Sequence, residues 1–251
     1  MINKDKRPNK IEVINLTKKF GDLLVLDNLN FNIKQNEFVC VVGPTGCGKT
    51  TFLNVLTRIH PPTEGDVFID SIPADPKKHS LSFVFQEPSA FPWLTIEDNI
   101  AFGLKTQKKS KKHTQEKVEQ IIKLMGLEDY RKLYPGQLAV SVVQRAIIGR
   151  SFAVEPDLLL MDEPYGQMDI KVRFYLEDEV IRLWRELKST VVFITHNIEE
   201  AVYLAERVII LTNKPASIRE EVYIDLPYPR DINSHKFIEY RNNITEKIRW
   251  W

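Results

Sequence analysis

Residues 38–52, FVCVVGPTGCGKTTF, decide the fold. An apolar strand pattern that ends at Val42 leads into a glycine-rich turn, and a helical pattern begins at Lys49. In that context, the spacing G-x-x-x-x-G-K-[ST] predicts a loop whose backbone N–H groups and helix N-terminus hold phosphate oxygens. We expect Lys49 to reach the β and γ phosphates and the hydroxyl of Thr50 to bind Mg²⁺. A glycine turn without a ligand is the alternative, and the complete spacing disfavours it.

The composition is that of an ordinary globular protein. The 251 residues are 43% hydrophobic and 27% charged, with a formal net charge of +1, which gives no reason to expect nucleic acid as a partner. The basic run at 105–113, KTQKKSKKH, is interpreted as a solvated loop, with acidic lipid headgroups as the alternative contact. The polar start of the chain and the absence of an apolar stretch of ~20 residues predict a cytosolic protein that meets a membrane only through partners. Cys40 and Cys47 are expected to be free thiols.

Short apolar runs alternate with longer helical patterns along the chain, which indicates an α/β fold. We predict strands at 11–16, 31–33, 37–42, 66–70, 81–86, 158–161, 190–195 and 208–211. Helices are predicted from residue 49 to about 59 and at 96–104, 115–125, 142–152, 169–187, 198–205 and 234–251. The three helical patterns between the strands ending at 86 and beginning at 158 predict an inserted helical subdomain over about 87–155.

A second chemical motif, LLLMDEP at 158–164, is an apolar strand that ends in two carboxylates. Strand ends of parallel sheets are where ligands bind, so Asp162 is expected to hold Mg²⁺ and Glu163 to polarise an attacking water. Two acidic residues after a strand are a weak signal alone. Combined with Lys49, they predict hydrolysis of a nucleoside triphosphate.

With both phosphate motifs in place, the chain resembles the ATP-binding subunits of ABC transporters along nearly its whole length. The resemblance implies a P-loop NTPase core over 1–251, with an N-terminal antiparallel β subdomain, the inserted helical subdomain, a C-terminal extension over about 212–251, and ATP and Mg²⁺ as cofactors. It also implies that Glu163, His196 and Gln86 act in catalysis, and that residues 165–169 touch an opposite subunit. The implied Mg²⁺ ligands are Thr50, Gln86 and Asp162. The implied nucleotide-binding residues are Phe20, which stacks on adenine, with Gly43, Pro44, Thr45, Gly46, Cys47, Gly48, Lys49, Thr50, Thr51 and Asp162.

Three segments, 89–104, 211–218 and 226–231, resemble the importer branch for nitrate, sulfonates and taurine. This resemblance implies transmembrane permease subunits, an extracytoplasmic solute-binding protein, and a position on the inner face of the cell membrane. Two other classes stay open: a soluble ABC ATPase unrelated to transport, and a nucleotide-binding regulator with little turnover. The single phosphate loop and the lack of extended heptads disfavour the soluble class.

Residues 134–151, YPGQLAVSVVQRAIIGRS, depart from the family pattern Leu-Ser-Gly-Gly-Gln that caps ATP on a partner subunit. The segment is aligned with the family pattern on Gln137-Leu138 and on Gln144-Arg145. In this alignment, Ala139, Val140 and Ser141 occupy the Ser-Gly-Gly positions. We therefore expect a poor cap, and we favour a heterodimer with a second, intact ATPase over a homodimer. The loop position of Cys47, beside Lys49 and near a helix N-terminus, predicts a thiol more acidic than a free cysteine.

Overall fold

Ten β-strands and seven α-helices form within residues 7–166 and 168–248, the part of the chain that the computed structural model describes. The strands are β1 (Asn9–Phe20), β2 (Leu23–Lys34), β3 (Phe38–Val42), β4 (Glu64–Ile69), β5 (Ile72–Pro73), β6 (Leu81–Val84), β7 (Leu158–Asp162), β8 (Thr190–Ile194), β9 (Arg207–Leu211) and β10 (Ile218–Tyr223). The helices are α1 (Lys49–Leu56), α2 (Ile96–Thr106), α3 (Lys111–Leu124), α4 (Val140–Ala153), α5 (Ile170–Leu187), α6 (Ile198–Leu204) and α7 (His235–Ile248).

These elements belong to two units of the chain. Met1–Ser80 together with Ser189–Trp251 form the first, which we call the P-loop unit because it contains residues 43–50. Leu81–Lys188 form the second, which we call the helical unit.

An antiparallel sheet occupies the start of the P-loop unit, with strand order β2-β1-β4-β5. Val13 of β1 faces Phe31 of β2 on one side and Val67 of β4 on the other. Apolar side chains of these strands are buried, which is the burial expected of a sheet with one face on a core. The predicted antiparallel subdomain is therefore present.

Parallel strands carry the phosphate loop. Within the P-loop unit, β3 pairs in parallel with β8 and with β9, and β10 adds to β9 in the antiparallel direction. Every residue of β3, β8 and β9 is buried, as expected for parallel strands covered on both faces. The aromatic rings of Phe38 and Phe193 pack 6.0 Å apart in this core.

The helical unit contains α2 to α5 and one parallel strand pair, β6 with β7. Asn99 of α2 is almost fully buried and fixes the turn that precedes the helix. Its Oδ1 accepts the N–H of Phe91 at 2.8 Å, and its Nδ2 donates to the carbonyls of Phe91, Leu94 and Thr95 at 3.0–3.1 Å. Asn99 thus satisfies buried backbone groups that the turn leaves unpaired.

The basic run at 105–113 differs from the predicted loop. Lys105 and Thr106 end α2, and α3 begins at Lys111, so only residues 107–110 connect the two helices. The hydroxyl of Ser110 accepts the N–H of His113 at 3.2 Å and caps α3. Lysine is a good helix former, so a high density of lysine alone does not indicate a loop.

Other elements also differ from the predictions, among them β2, which begins at Leu23 instead of residue 31. Helix α1 ends at Leu56 instead of about 59, because Arg58 adopts a left-handed φ of 57°. Strands β5 and β10 were not predicted from the sequence. The sequence of β10, IREEVY, contains several charged residues and so lacks the apolar pattern that would predict its pairing with β9. The predicted helix at 234–251 is found as α7, and its last three residues lie outside the described part of the chain.

Arg230, in the segment LPYPRD, holds the C-terminus of α6. The side chain is 6% exposed, and its NH1 donates to the carbonyls of Val202, Tyr203 and Ala205 at 2.5, 3.1 and 2.7 Å. The Tyr228 hydroxyl donates to the Leu204 carbonyl at 2.6 Å. Burial lowers the pKa of Arg230 from its usual value, but an arginine remains charged at any physiological pH. The segment therefore supplies donors that the last turn of α6 lacks.

We expect Arg230→Met to lower the free energy of unfolding by about 3 kcal/mol, because the buried carbonyls at the end of α6 lose their donor. Denaturant unfolding measures this change. The matched control is Arg219→Met on the exposed side of β10, expected to change stability by less than about 0.5 kcal/mol. Equal losses in both variants would contradict the role assigned to Arg230.

Candidate phosphate-binding site

Residues 43–48 form a tight loop between β3 and α1. Gly46 has a φ of +77° and Gly48 a φ of +126°, conformations that residues with a Cβ rarely adopt. At Gly48 a Cβ would also lie 2.9 Å from the Cδ2 of Leu26. Glycine is therefore required at both positions for the chain to curl back toward the start of α1.

Lys49 lies inside this curl. It is 6% exposed, and its Nζ donates to the carbonyls of Gly43 at 2.9 Å and Pro44 at 3.0 Å. Gly48 caps α1 without a side-chain hydrogen bond, so the first-turn N–H groups are not covered by a capping side chain. Thr50, in the same turn, is exposed. A buried ammonium group beside a helix N-terminus forms a concave site of positive potential suited to phosphate.

The thiol of Cys47 does not have the predicted acidity. Its side chain is fully buried, packed against the start of the loop at Gly43. Burial raises the pKa of Cys47, and the charge of Lys49 only partly opposes this effect. The prediction from the sequence was wrong because proximity to a cation was visible in the sequence and burial was not.

We expect Cys47 to react slowly with a maleimide at pH 7, at least about tenfold slower than free cysteine, because little thiolate is present and the sulfur is covered. Peptide mapping by mass spectrometry after timed quenching measures the rate. Since the pKa is raised, the rate should increase only at a pH above the usual range for a thiol. Cys47→Ala is the control that isolates Cys40, which is also buried. Rapid labelling of Cys47 at pH 7 would contradict this packing.

Phe20 and His196 also belong to the P-loop unit. Phe20 ends β1 and is 41% exposed, with His60 against its edge at 5.2 Å between ring centroids. It is therefore available for stacking and is not a core aromatic. His196 follows β8 and is exposed. The chain around it is held by Thr195, whose hydroxyl donates to Glu200 at 2.6 Å, and by Asn197, which caps α6.

In the helical unit, Asp162 and Glu163 are adjacent at the end of β7. Asp162 is 3% exposed, and Glu163 is partly exposed with a left-handed φ of 44°. Such a backbone conformation is uncommon for a residue with a long side chain and is often found at functional sites. Gly166 closes the turn by donating its N–H to the Glu163 carbonyl at 3.2 Å. Asp169 then caps α5. Gln167, within the predicted contact loop 165–169, lies outside the described residues.

Gln86 lies two residues after β6 and is exposed. Sequence reasoning missed Arg150 of α4, which fixes the segment that follows Gln86. The guanidinium of Arg150 donates to the carbonyl of Ser89 at 3.0 Å and to its hydroxyl at 3.1 Å, and it stacks on Phe91 at 5.1 Å. No local pattern indicates this contact, since the residues are about sixty positions apart.

Residues 139–141 lie at the start of α4, in the same unit. Ala139 is the N-cap residue, with extended backbone angles and no side-chain hydrogen bond to the helix. Val140 is 45% exposed. A serine, threonine, aspartate or asparagine would ordinarily cap such a helix, so the N-cap position itself offers no hydroxyl to a ligand. Ala139 and Val140, where the sequence predicts a departure from the family pattern, thus lie at an exposed helix N-terminus.

The family model described as ABC transporter matches residues 26–166 of this chain. An uncharacterized ABC transporter ATP-binding protein of Methanocaldococcus jannaschii is 40% identical over 250 residues, covering 98% of this chain and 94% of the relative. An aliphatic sulfonates import ATP-binding protein of Bacillus cereus is 36% identical over 234 residues, covering 93% of this chain and 92% of the relative.

Solved structures show the same fold. A dimeric ATP-binding cassette in a post-hydrolysis state, bound to ADP and Pi, matches with a TM-score of 0.77 and 31% identity, covering 86% of this chain and all of the other. The protein cbiO1 of Clostridium perfringens, part of the ABC transporter complex cbiONQ, matches with a TM-score of 0.78 and 22% identity, covering 94% and 95% of the two chains. The expected fold, a mixed α/β cassette with antiparallel and parallel sheets, is confirmed.

Proposed function

Because the chain belongs to the ABC transporter family of ATP-binding proteins and is an ATP hydrolase of that type, we propose that it powers a membrane importer for a small solute. We further propose that the solute is an oxyanion such as nitrate, a sulfonate or taurine. The supporting observation is the similarity, over nearly the whole chain, to proteins named for the import of aliphatic sulfonates. The soluble ABC ATPase and the low-turnover regulator are not favoured by these similarities.

The chain's own residues suit the steps of ATP hydrolysis. In the proposed mechanism, the loop at 43–48 and the amine of Lys49 hold the β and γ phosphates, and Phe20 stacks on the adenine. Glu163 orients and polarises the attacking water, while Gln86 and His196 contact the γ phosphate. Pre-positioned charge at the phosphates supplies most of the rate enhancement in such reactions.

Mg²⁺ is part of this proposal. The hydroxyl of Thr50, the amide oxygen of Gln86 and the carboxylate of Asp162 are oxygen donors, which is the ligand chemistry that Mg²⁺ requires. Magnesium is commonly bound by one or two carboxylates and completes its shell with water and phosphate oxygens, so a donor set with the single carboxylate of Asp162 fits. When bound, the ion would neutralise charge on the β and γ phosphates.

Transport is tested by reconstituting the full chain with its permease and solute-binding protein in proteoliposomes. We expect nitrate, taurine or an alkanesulfonate to raise ATP turnover severalfold, with maltose as the neutral control. Stimulation by a solute other than these oxyanions would contradict the substrate class. Failure to co-purify with a permease would contradict the transport function.

The position in the cell follows from the same proposal. Among residues 7–166 and 168–248, none of the helices combines the length and the apolar character needed to cross a bilayer. We propose that permease subunits hold the chain on the inner face of the membrane, and that residues 87–155 pass its motion to them. The extension at 212–251 is proposed to stabilise the cassette through Arg230.

We also propose that the working dimer contains a second cassette with an intact Leu-Ser-Gly-Gly-Gln segment. Ala139 has no hydroxyl to donate to a partner's γ phosphate, and the side chain of Val140 covers backbone that glycine would leave accessible. A heterodimer would have one good site, made from this chain's phosphate loop and the partner's signature.

Mixing this chain with the second cassette is expected to raise ATP turnover about 10²-fold over this chain alone, since one donor to developing charge is worth about that factor. Replacing the signature serine of the second cassette by alanine is the control and should remove the gain. A mixture no faster than the sum of its parts would favour the slow homodimer.

A further inference from the structure

A cavity of about 580 Å³ lies in the helical unit between α2 and α3. We call it the α2–α3 cavity. Its volume is within the usual range for pockets that hold small ligands. The predicted chemistry of ATP hydrolysis uses none of the side chains that line it. The cationic ones are Lys105, Lys109, Lys111, Arg131 and Lys132.

The charge of this lining is strongly positive. The lining contains five basic side chains and two carboxylates, those of Glu97 and Asp98. Glu119, just outside the lining, pairs with Arg131 at 3.0 Å, so the local excess is two positive charges. Glu97 accepts from Arg131 at 2.9 Å and also pairs with Lys132, while Asp98 accepts from Lys105 at 2.8 Å. The two acidic groups are thus already bound to three of the five cations.

Both carboxylates stay ionised in this setting. Burial alone raises the pKa of Glu97, but the hydrogen bonds from Lys132 and Arg131 more than offset it and hold the pKa below its ordinary value. The hydrogen bond from Lys105 lowers the pKa of Asp98. The ion pairs therefore persist at neutral pH and fix the walls of the cavity.

Lys109 and Lys111 differ from the other three cations of the lining because they have no carboxylate partner within the described part of the chain. Neither amine makes an ion pair with another of the residues that the structure describes. Both line the cavity, at the point where the connection between the helices enters α3. Thr114, 9% exposed, adds a hydroxyl to the same lining. The cavity is thus lined by the unpaired ammonium groups of Lys109 and Lys111 and by the hydroxyl of Thr114. Groups of these kinds bind phosphate in proteins.

We propose that the α2–α3 cavity binds a small molecule that carries two or more phosphate charges. The charges of the two unpaired lysines balance such a ligand, whereas a neutral molecule would leave them unbalanced. The phosphate can come from a soluble metabolite or from the headgroup of a lipid. Binding there does not depend on the proposed function, because the cavity is made of residues outside the ATP chemistry.

The test uses pyrophosphate as the probe and titration calorimetry as the measurement. The chain carries Lys49→Ala, so that the phosphate loop does not contribute. The variant Lys109→Glu with Lys111→Glu is compared with Lys108→Glu with Lys112→Glu. Both pairs change the charge of the same segment equally, but only the first pair lines the cavity. All four lysines are exposed, so both variants should fold, and circular dichroism checks this.

We expect one saturable site, weakened at least about tenfold in the cavity variant and less than about twofold in the control. Equal weakening of pyrophosphate binding in the cavity variant and in the control would overturn the proposal. It would show that binding depends only on the overall positive charge of the segment. Absence of saturable binding in the Lys49→Ala chain would overturn it as well. If the double glutamate variant is misfolded, Lys109→Met with Lys111→Met replaces it.

A second arm distinguishes the source of the phosphate. Vesicles of phosphatidylcholine with phosphatidic acid, whose phosphomonoester headgroup can carry two negative charges, are sedimented with each variant. If pyrophosphate displaces the chain from the vesicles, and only the cavity variant fails to bind them, the ligand is a lipid headgroup. Pyrophosphate binding without vesicle binding identifies a soluble ligand. Vesicle binding lost equally by both variants, and not displaced by pyrophosphate, contradicts a built site.

Discussion

Lys49→Ala is expected to lower ATP turnover about 10³-fold, the largest effect of any single substitution in the P-loop unit. The amine of Lys49 is buried within the loop and is held by the carbonyls of Gly43 and Pro44. Lys49 is the only lysine or arginine in the sequence at 43–50, so its removal leaves that segment without a cation for the phosphates. Two assays measure the loss: the release of phosphate reports ATP turnover, and the binding of a fluorescent ATP analogue reports nucleotide affinity.

The control for this prediction is Lys77→Ala, at an exposed position of the same unit, which should leave turnover unchanged. Lys49→Arg retains the charge but not the shape of the amine, and it should remain severely impaired. Thermal unfolding shows whether the loop variants are folded. Nucleotide affinity that survives replacement of Lys49 and Thr50 together would mean that ATP does not bind at this loop.

The second prediction concerns the start of α4. The triple variant Ala139→Ser, Val140→Gly and Ser141→Gly should raise turnover of this chain alone about 10²-fold, because it restores a hydroxyl donor and an accessible backbone for the partner's phosphate. Folding should not suffer, since a serine N-cap contributes about 1 kcal/mol and offsets the cost of glycine in the first turn.

Two controls make this result specific. The same triple change in a chain that also carries Glu163→Gln should show no gain, because the carboxylate proposed to polarise the attacking water is absent. Ala139→Ser alone should give part of the gain, since Val140 still covers the backbone. Unchanged turnover in the triple variant would contradict the proposal that these residues limit ATP turnover in the homodimer.

Much of the fold could be predicted because the decisive signals are local. The strand, loop and helix around residues 43–50 are contiguous, and the glycines at 46 and 48 have the positive φ values that the spacing requires. The buried parallel strands β3, β7, β8 and β9 appear as apolar runs, so their positions are predicted within a few residues. Strand β10 was missed because its exposed face is charged.

For the candidate site, the sequence supplied a set of residues with predicted chemical roles. Residue type and spacing predicted roles for Lys49, Asp162 and Glu163, and the segment at 139–141 was predicted to be a poor cap. It did not identify Arg150 or Asn99, whose partners are fixed only by packing within the helical unit.

By itself, the sequence determined the tight glycine loop at 43–48 and most of the order of strands and helices, because each depends on neighbouring residues in the chain. Only the tertiary structure decided that the thiol of Cys47 is buried and its pKa raised, that Arg230 holds the end of α6, and that Lys109 and Lys111 line a cavity with Arg131. The physical reason is that burial and charge pairing depend on groups far apart in the chain, and their distances are set only when the chain folds.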